Sequence, residues 1–365
     1  MKIQIDRDLL QNNINLVMKA VASKGSMPIL EYILLTANSS GLKLLGNDLK
    51  IAIETNYIDC QIDEMGIIAL EAKFFFEAIR KLPSGVLSLE SDDNNVTLKS
   101  GKAKITFKGL KGDDFPSIQE VEEQNKLNLN IKEFTQIISK TKFAVSKDDS
   151  KAILTGELFE VADNKLKVVA IDGFRISYGE KSVDDDREFS VIIPIKALED
   201  VVKILSSSSN DEFDMIFSDN FVKFVTEDCI IVSRLISGDF IKYNQLFIED
   251  YKTKITCNRS DLKDSLERTL LVSTDSKRVP VKFEINENVT IITSNTENGN
   301  SYEEIPIVFE GEDITIGFNP KFIIDVLNAI ECEEVSLTFT NNLSPCIIRG
   351  ISNDEYKYIV LPLRI

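Results

Sequence analysis

GIIALEAKFFFEAIRKL (Gly66 to Leu82), SVIIPIKALEDVVKIL (Ser190 to Leu205) and DITIGFNPKFIIDVLNAI (Asp313 to Ile330) are three versions of one phrase: a short β-like run, a Lys or Pro, and an amphipathic helix. Lys73 and Lys196 are 123 residues apart, and Lys196 and Pro320 are 124 apart. That period is far longer than a solenoid repeat, so each copy is large enough to bury a core of its own. Three similar domains in one chain of 365 residues suggest an arc, and an arc is a piece of a ring.

Each copy also opens on a strand that runs into a helix, where an alternation of period two gives way to one of about 3.6. The openings are MKIQIDRDLLQNNINLVMKAVA, LNLNIKEFTQIISKTKFAV and TKITCNRSDLKDSLERTLLV, with Asp6, Asn130 and Asn258 at the switch as candidate helix caps. VLSLESDDNNVTLKSGKAKITFKGL continues the first copy as strands around an Asp92-Asp93-Asn94-Asn95 turn. Two copies close on matching words, KGDDFPSI (Lys111 to Ile118) and SGDFIKYN (Ser237 to Asn244), and the acidic EVEEQNK after the first reads as a linker. The expected fold is α+β, with two helices packed on antiparallel sheets in each of three domains: 1–121, 127–250 and 251–365.

Composition narrows the function. A hydrophobic fraction of 43% with 21 Phe and eight Tyr is that of globular domains. The five cysteines (Cys60, Cys229, Cys257, Cys332 and Cys346) are scattered and never spaced CxxC, the pattern of reduced buried thiols. With no histidine anywhere, Ser-His-Asp and Cys-His catalysis are excluded and zinc loses its usual ligand. No phosphate-binding GxxxxGK[ST] loop is present, and neither a cofactor nor a metal is expected. The N-terminus lacks a leader's apolar core, and no apolar run is long enough to cross a bilayer, so the expectation is a cytoplasmic protein with no membrane partner.

A net charge of −17 argues against a nucleic-acid partner only if the charge is spread evenly. It is not. The helical segments 7–19, 73–81, 132–142, 196–203, 259–268 and 321–330 carry 14 Lys or Arg against nine Asp or Glu, so the helices are basic while the remainder is strongly acidic. Helices turned to one side would offer Lys19, Lys24, Arg80, Lys81, Lys140, Lys142, Lys196 and Lys203 to a polyanion, and the acidic strands would repel stray nucleic acid. Without a stacking platform or a base-reading motif, such a face holds phosphates loosely and without sequence preference.

Two other classes fit parts of the pattern. A carboxylate-dependent hydrolase or lyase would draw on Asp172, Asp275 or Asp184-Asp185-Asp186. Local hydrogen bonding in a DG turn accounts for the first of these, and a solvated loop accounts for the triple Asp. A non-enzymatic β-rich assembly scaffold would need no basic helix faces.

The three-copy layout, AIDGFRIS (Ala170 to Ser177), GFNPKFIIDVLNAI (Gly317 to Ile330) and the terminal YIVLPLRI (Tyr358 to Ile365) together resemble the bacterial DNA polymerase III beta subunit, or sliding clamp, family. The resemblance spans essentially the whole chain. It implies a non-catalytic processivity factor of DNA replication: a head-to-tail homodimer whose six domains form a ring with helices lining the hole. It implies as partners encircled double-stranded DNA, the polymerase III catalytic subunit, a clamp loader and other replication and repair proteins with a clamp-binding motif. It also implies an apolar pocket for partner peptides between the second and third domains. The matching positions are Leu154, Ile171, Gly173, Phe174, Arg175, Ile176, Leu246, Asn319, Phe322, Leu343, Ile359, Val360, Leu361, Pro362, Leu363 and Arg364. Phe174 and Phe322 stand where the family often has His and Tyr, and Ile241 and Gln245 where it often has Pro and Arg; each swap keeps or raises apolarity, so the pocket should survive and its preferred peptide is what would change.

KAKITFK (Lys102 to Lys108) alternates Ala103, Ile105 and Phe107 with Lys102, Lys104, Thr106 and Lys108, as befits a strand whose edge is guarded by charge. The resemblance places it at the subunit junction opposite Leu271 and Val272. Glu297, Glu303 and Glu304 of the third domain could complement its lysines and fix a head-to-tail register.

Overall fold

The structure is a computed structural model that describes residues 1–23, 27–247, 250–272, 280–352 and 355–365. Among them are six α-helices: α1 (Arg7–Val17), α2 (Ala72–Lys81), α3 (Ile131–Thr141), α4 (Ile195–Leu205), α5 (Arg259–Leu270) and α6 (Pro320–Ala329). The strand-to-helix switches fall where the sequence places them. Asp6 Oδ1 accepts from the amides of Asp8 and Leu9 at 2.9 and 3.0 Å, Asn130 Oδ1 from Lys132 and Glu133, and Asn258 Oδ1 from Ser260 and Asp261. Each satisfies amides that the first helical turn leaves free. Glu71 caps α2 and Asn319 caps α6 in the same way.

The chain divides into two compact units: residues 1–134 with 196–235, and residues 135–195 with 236–365. Unit 1 holds a five-stranded antiparallel sheet in the order Gln61–Glu64, Lys2–Asp6, Val86–Asp92, Asn95–Ser100, Ala103–Lys108. Its hairpin turns at Asp93, whose φ of 47° is one that a two-residue turn requires. The second sheet of unit 1 has eight strands and joins two copies of the repeat, because Cys229–Arg234 of the middle copy pairs with Ile51–Thr55 of the first. Helix α1 lies on the strands Gly41–Asn47 and Ile51–Thr55 and packs against α2.

Unit 2 repeats this plan. Its nine-stranded sheet joins the middle and third copies where Arg175–Ser182 pairs with Tyr356–Val360, and its four-stranded sheet runs Gly299–Pro306, Val289–Thr296, Val281–Asn286, Ile314–Phe318. Helix α5 packs on α6 and on the strands Gly299–Pro306 and Val289–Thr296 of the four-stranded sheet. The sheets therefore run on from copy to copy, and the middle copy supplies strands to both units. Alternating side chains explain the cores: Leu158, Val169, Ile176, Ile192, Ile347 and Ile359 form one buried cluster in unit 2, and Leu34, Leu45, Ala52, Ala69 and Phe115 form its smaller counterpart in unit 1. All five cysteines are free thiols, and no described helix is long and apolar enough to cross a membrane.

Candidate partner groove and nucleic-acid face

The turn Asp172 to Arg175 joins two strands of the nine-stranded sheet. Asp172 Oδ1 accepts from the amides of Phe174 and Arg175 at 2.8 and 3.0 Å, and Gly173 takes φ +94°, a conformation that a side chain would strain. This turn throws Phe174 outward, where it is 52% exposed, and draws Arg175 inward. The Arg175 guanidinium donates from Nε to Asp172 Oδ2 (2.9 Å), from Nη1 to Asp325 of α6 and from Nη2 to the Phe143 carbonyl (2.8 Å). Its plane also lies 4.6 Å from the Phe322 ring centroid and 5.2 Å from that of Phe143. Phe322 in turn stacks on Phe174 at 5.9 Å. One arginine thus locks the turn, α6 and the short turn after α3 into a wall with an apolar top.

The chain terminus forms the neighbouring rim. Leu361 N donates to Phe174 O (2.9 Å) and Leu363 N to Gly317 O (2.8 Å), and a Cβ on Gly317 would collide with the Ile365 side chain. Leu361 is left 38% exposed, and Arg364 faces solvent beside it. Leu154, Ile171, Ile176 and Ile359 are buried together beneath. Val360 is fully buried, and by strand alternation it lies on the opposite face from Ile359, so it supports the groove without lining it. Leu246 and Leu343 are exposed and stand outside the buried cluster, Leu343 on a turn held by Asn341; Asn319 serves as the α6 cap. Asp325 and Phe143 went unread in the sequence, although Asp325 follows Phe322 by three residues and so shares its helix face.

Polar supports hold the cluster from below. Tyr243 donates to Glu160 (3.1 Å) and Tyr178 to Glu180 (2.5 Å), while Lys167 and Lys165 neutralise those carboxylates at 3.0 and 2.6 Å. Burial, reinforced by the adjoining carboxylates, pushes both phenols well above their ordinary range. Burial also works against ionisation of Glu180, yet hydrogen bonds from Lys165 and Tyr178 outweigh it and hold that carboxyl below its usual value.

Of the basic residues expected to face a polyanion, Lys19, Lys196 and Lys203 converge in unit 1 around Asp200. Desolvation pushes the Asp200 carboxyl up, and the three lysines partly restore its ionisation. Lys196 and Lys203 form ion pairs with Asp48 (3.1 Å) and Asp200 (3.6 Å) yet stay 61% exposed, so solvent screening leaves them available to a phosphate. Arg80 and Lys81 are exposed at the end of α2, with Arg80 paired to Glu77, and Lys142 is exposed after α3. Lys140 departs from expectation: it is 5% exposed, its ammonium 3.1 Å from Glu331 and 4.6 Å over the Tyr356 ring, so it is committed to unit 2 and withheld from any phosphate. Lys24 and Asp275 lie outside the described residues.

The two candidate junction strands are both sheet edges. Among the described residues Ala103–Lys108 pairs on one side only, with Lys104 and Lys108 exposed and Ile105 and Phe107 half-buried; Phe107 rests on Phe74 at 5.0 Å. Lys102 is exposed in the turn before it. Gly299–Pro306 is the free edge of the four-stranded sheet and carries Glu303, bound to Arg268, and an exposed Glu304. Leu271, just past α5, is 73% exposed, and Val272 is half-buried. The carboxylate-enzyme reading fares differently. Asp172 is consumed by its turn and by Arg175, and Asp185 is held by Arg187.

Three family models match in series: the DNA polymerase III beta subunit N-terminal domain over residues 1–119, the central domain over 128–242 and the C-terminal domain over 244–364. The chain belongs to the DNA polymerase III beta subunit family. It is 30% identical to the beta sliding clamp of Bacillus subtilis, with both chains fully covered, and 32% identical to that of Staphylococcus epidermidis, covering 100% of this chain and 99% of the relative. Among solved structures, the Bacillus subtilis DNA polymerase sliding clamp superposes with a TM-score of 0.95 at 30% identity over 100% of this chain and 99% of that one. The Thermotoga maritima beta subunit gives 0.93 at 28% over the same shares. As a beta subunit the protein is a DNA sliding clamp that serves the replicative polymerase and catalyses no reaction itself. DNA, replication proteins and a second copy of the chain are its partners in general terms.

Proposed function

We propose that two copies join head to tail through the basic edge Ala103–Lys108 of one and the acidic edge Gly299–Pro306 of the other, with Leu271, Val272, Ile105 and Phe107 as the apolar contact. The ring so closed has six domains, with boundaries at 1–121, 127–250 and 251–365 in each copy, and works in the cytoplasm. Lys19, Arg80, Lys81, Lys142, Lys196 and Lys203 touch the phosphates of an encircled duplex weakly and without sequence preference. Retention comes from topology: leaving the DNA requires opening a protein junction, while sliding breaks only weak contacts. A polymerase tethered to the ring gains a high effective concentration at the primer end.

The groove around Phe174, Phe322 and Leu361 takes short apolar peptides from the polymerase catalytic subunit, from a clamp loader and from other proteins with a clamp-binding motif. The observation that carries this reading is an aromatic pair, Phe174 exposed and Phe322 half-buried, pinned by a largely buried arginine beside the apolar segment at Leu361, a combination that suits the anchor pocket and charged rim of a peptide site. Deleting Leu361 to Ile365 removes that rim while leaving the strand Tyr356–Val360 in its sheet. The deletion is expected to abolish binding of polymerase and loader peptides, measured by fluorescence anisotropy, with the dimer intact by sedimentation. Unchanged peptide affinity would remove the groove from the account.

A further inference from the structure

A second groove, of about 410 Å³, opens in unit 1 where Cys229–Arg234 pairs with Ile51–Thr55. Its frame repeats the unit 2 groove hydrogen bond by hydrogen bond. Asp48 N donates to Ile51 O (3.1 Å) as Asp172 N does to Arg175 O (3.4 Å). Asp48 Oδ1 accepts from the Lys50 and Ile51 amides as Asp172 Oδ1 accepts from those of Phe174 and Arg175. Arg234 N donates to Lys50 O (3.0 Å) as Leu361 N does to Phe174 O, and Ala52 faces Val232 across the sheet as Ile176 faces Ile359.

On this equivalent frame the chemistry is different. Lys50 stands where unit 2 has Phe174, and Arg234 where it has Leu361. Both are exposed, and neither makes an ion pair among the described residues, whereas Asp48 between them is tied to Lys196 at 3.1 Å. Leu49 takes the place of Gly173 and holds φ +70°, a left-handed conformation that is rare for a large side chain, while 53% exposed at the groove's lip. The exposed amides of Gln119 and Asn220 complete the rim over a floor of Ala52 and Val232.

We propose that this groove is a second docking site, for an acidic peptide segment of a partner protein, with carboxylates on Lys50 and Arg234 and a short aliphatic side chain on the floor. A cationic groove on a chain of net charge −17 is a local inversion of sign, which steers and orients an acidic partner. Single-stranded nucleic acid binds through successive exposed rings, and among the described residues this groove offers only the half-buried Phe221. That the ligand is a peptide rests on the reading of the unit 2 groove, whose frame it shares.

The test pans a display library of random dodecapeptides in parallel against the full chain, a Lys50→Glu/Arg234→Glu variant and the chain lacking Leu361 to Ile365. The peptides recovered are then measured by fluorescence anisotropy. The expected result is a class rich in Asp and Glu whose affinity falls roughly tenfold or more in the charge-reversed variant and is unchanged by the terminal deletion. A Lys50→Met/Arg234→Met variant, which only removes the charges, should lose an intermediate amount, and thermal melts by circular dichroism check that each variant is folded. Absence of an acidic class, or one that binds the reversed variant as well as the parent, overturns the proposal. So does an oligothymidylate that competes for Lys50 and Arg234 as strongly as the peptides do. The unit 2 reading fails or stands separately, on an apolar class lost only with the terminal deletion.

Discussion

Arg175→Ala is the sharpest perturbation of the partner groove. It removes three hydrogen bonds, to Asp172, Asp325 and the Phe143 carbonyl, and two ring contacts. Taking one partner from a buried ion pair costs about 3 to 5 kcal/mol when the other charge stays desolvated. Here Asp325 is 41% exposed and can hydrate, and Asp172 keeps two backbone amides. The expected loss is therefore lower, about 2 to 3 kcal/mol, including ~0.5–1 kcal/mol for each ring contact. Because the chain has two compact units, whole-chain melting would blur this effect. Native-state hydrogen exchange at the Leu361 amide, which is bonded to Phe174 O, reads it locally. Exchange should quicken roughly 30- to 150-fold, and apolar peptide affinity should fall with it. The Arg234 amide, bonded to Lys50 O in unit 1, should not change. Arg175→Lys keeps the charge but not the planar fork, so it should fall between. A Leu361 amide exchanging within threefold of the parent's would refute the claim that Arg175 holds this wall together.

Two further outcomes follow from the same geometry. Leu271→Ala or Ile105→Ala should shift dimer toward monomer in sedimentation, each costing on the order of 2 kcal/mol if the partner copy buries the side chain; a dimer untouched by both would misplace the junction. Burial pushes the Cys229 thiol up to about 11 and Cys257 to about 12, and it raises Tyr178, Tyr243 and Tyr358 as well. Folding thus favours the protonated forms, a contribution complete below the unfolded values of 9.0 and 10.0 and lost as pH climbs through the folded ones. Urea midpoints should hold steady to about pH 9 and then fall, as the unfolding free energy drops by up to ~1.4 kcal/mol per pH unit for each group; a midpoint equal at pH ~8 and ~10.5 would contradict this.

Local physics was the legible part of this fold. Caps at Asp6, Asn130 and Asn258, the edge strand around Ile105 and the DG turn at Asp172 all follow from side chains acting on backbone within a few residues, and all are present. Glu71 as a cap was missed because Glu is an uncommon choice there. What depended on distant pairing was not readable. Nothing near Ile51–Thr55 announces that Cys229–Arg234 will extend its sheet, so the copies looked self-contained although their sheets are shared. Lys140 looked like every other helix lysine until Glu331 and Tyr356 closed over it. In the groove, the words around Phe174, Phe322 and Leu361 could be found in sequence, while Phe143 and the unit 1 counterpart at Lys50 and Arg234 emerge only from hydrogen bonds in three dimensions.

Encirclement is tested most directly by loading the protein onto nicked circular duplex DNA with a clamp loader, removing free protein by gel filtration, and linearising half of the sample with a restriction enzyme. The account predicts that clamp stays with the circles through high salt and is lost from the linear molecules by sliding off their ends. Equal retention on both, or release from circles by salt alone, would show that contact and not topology holds the protein on DNA.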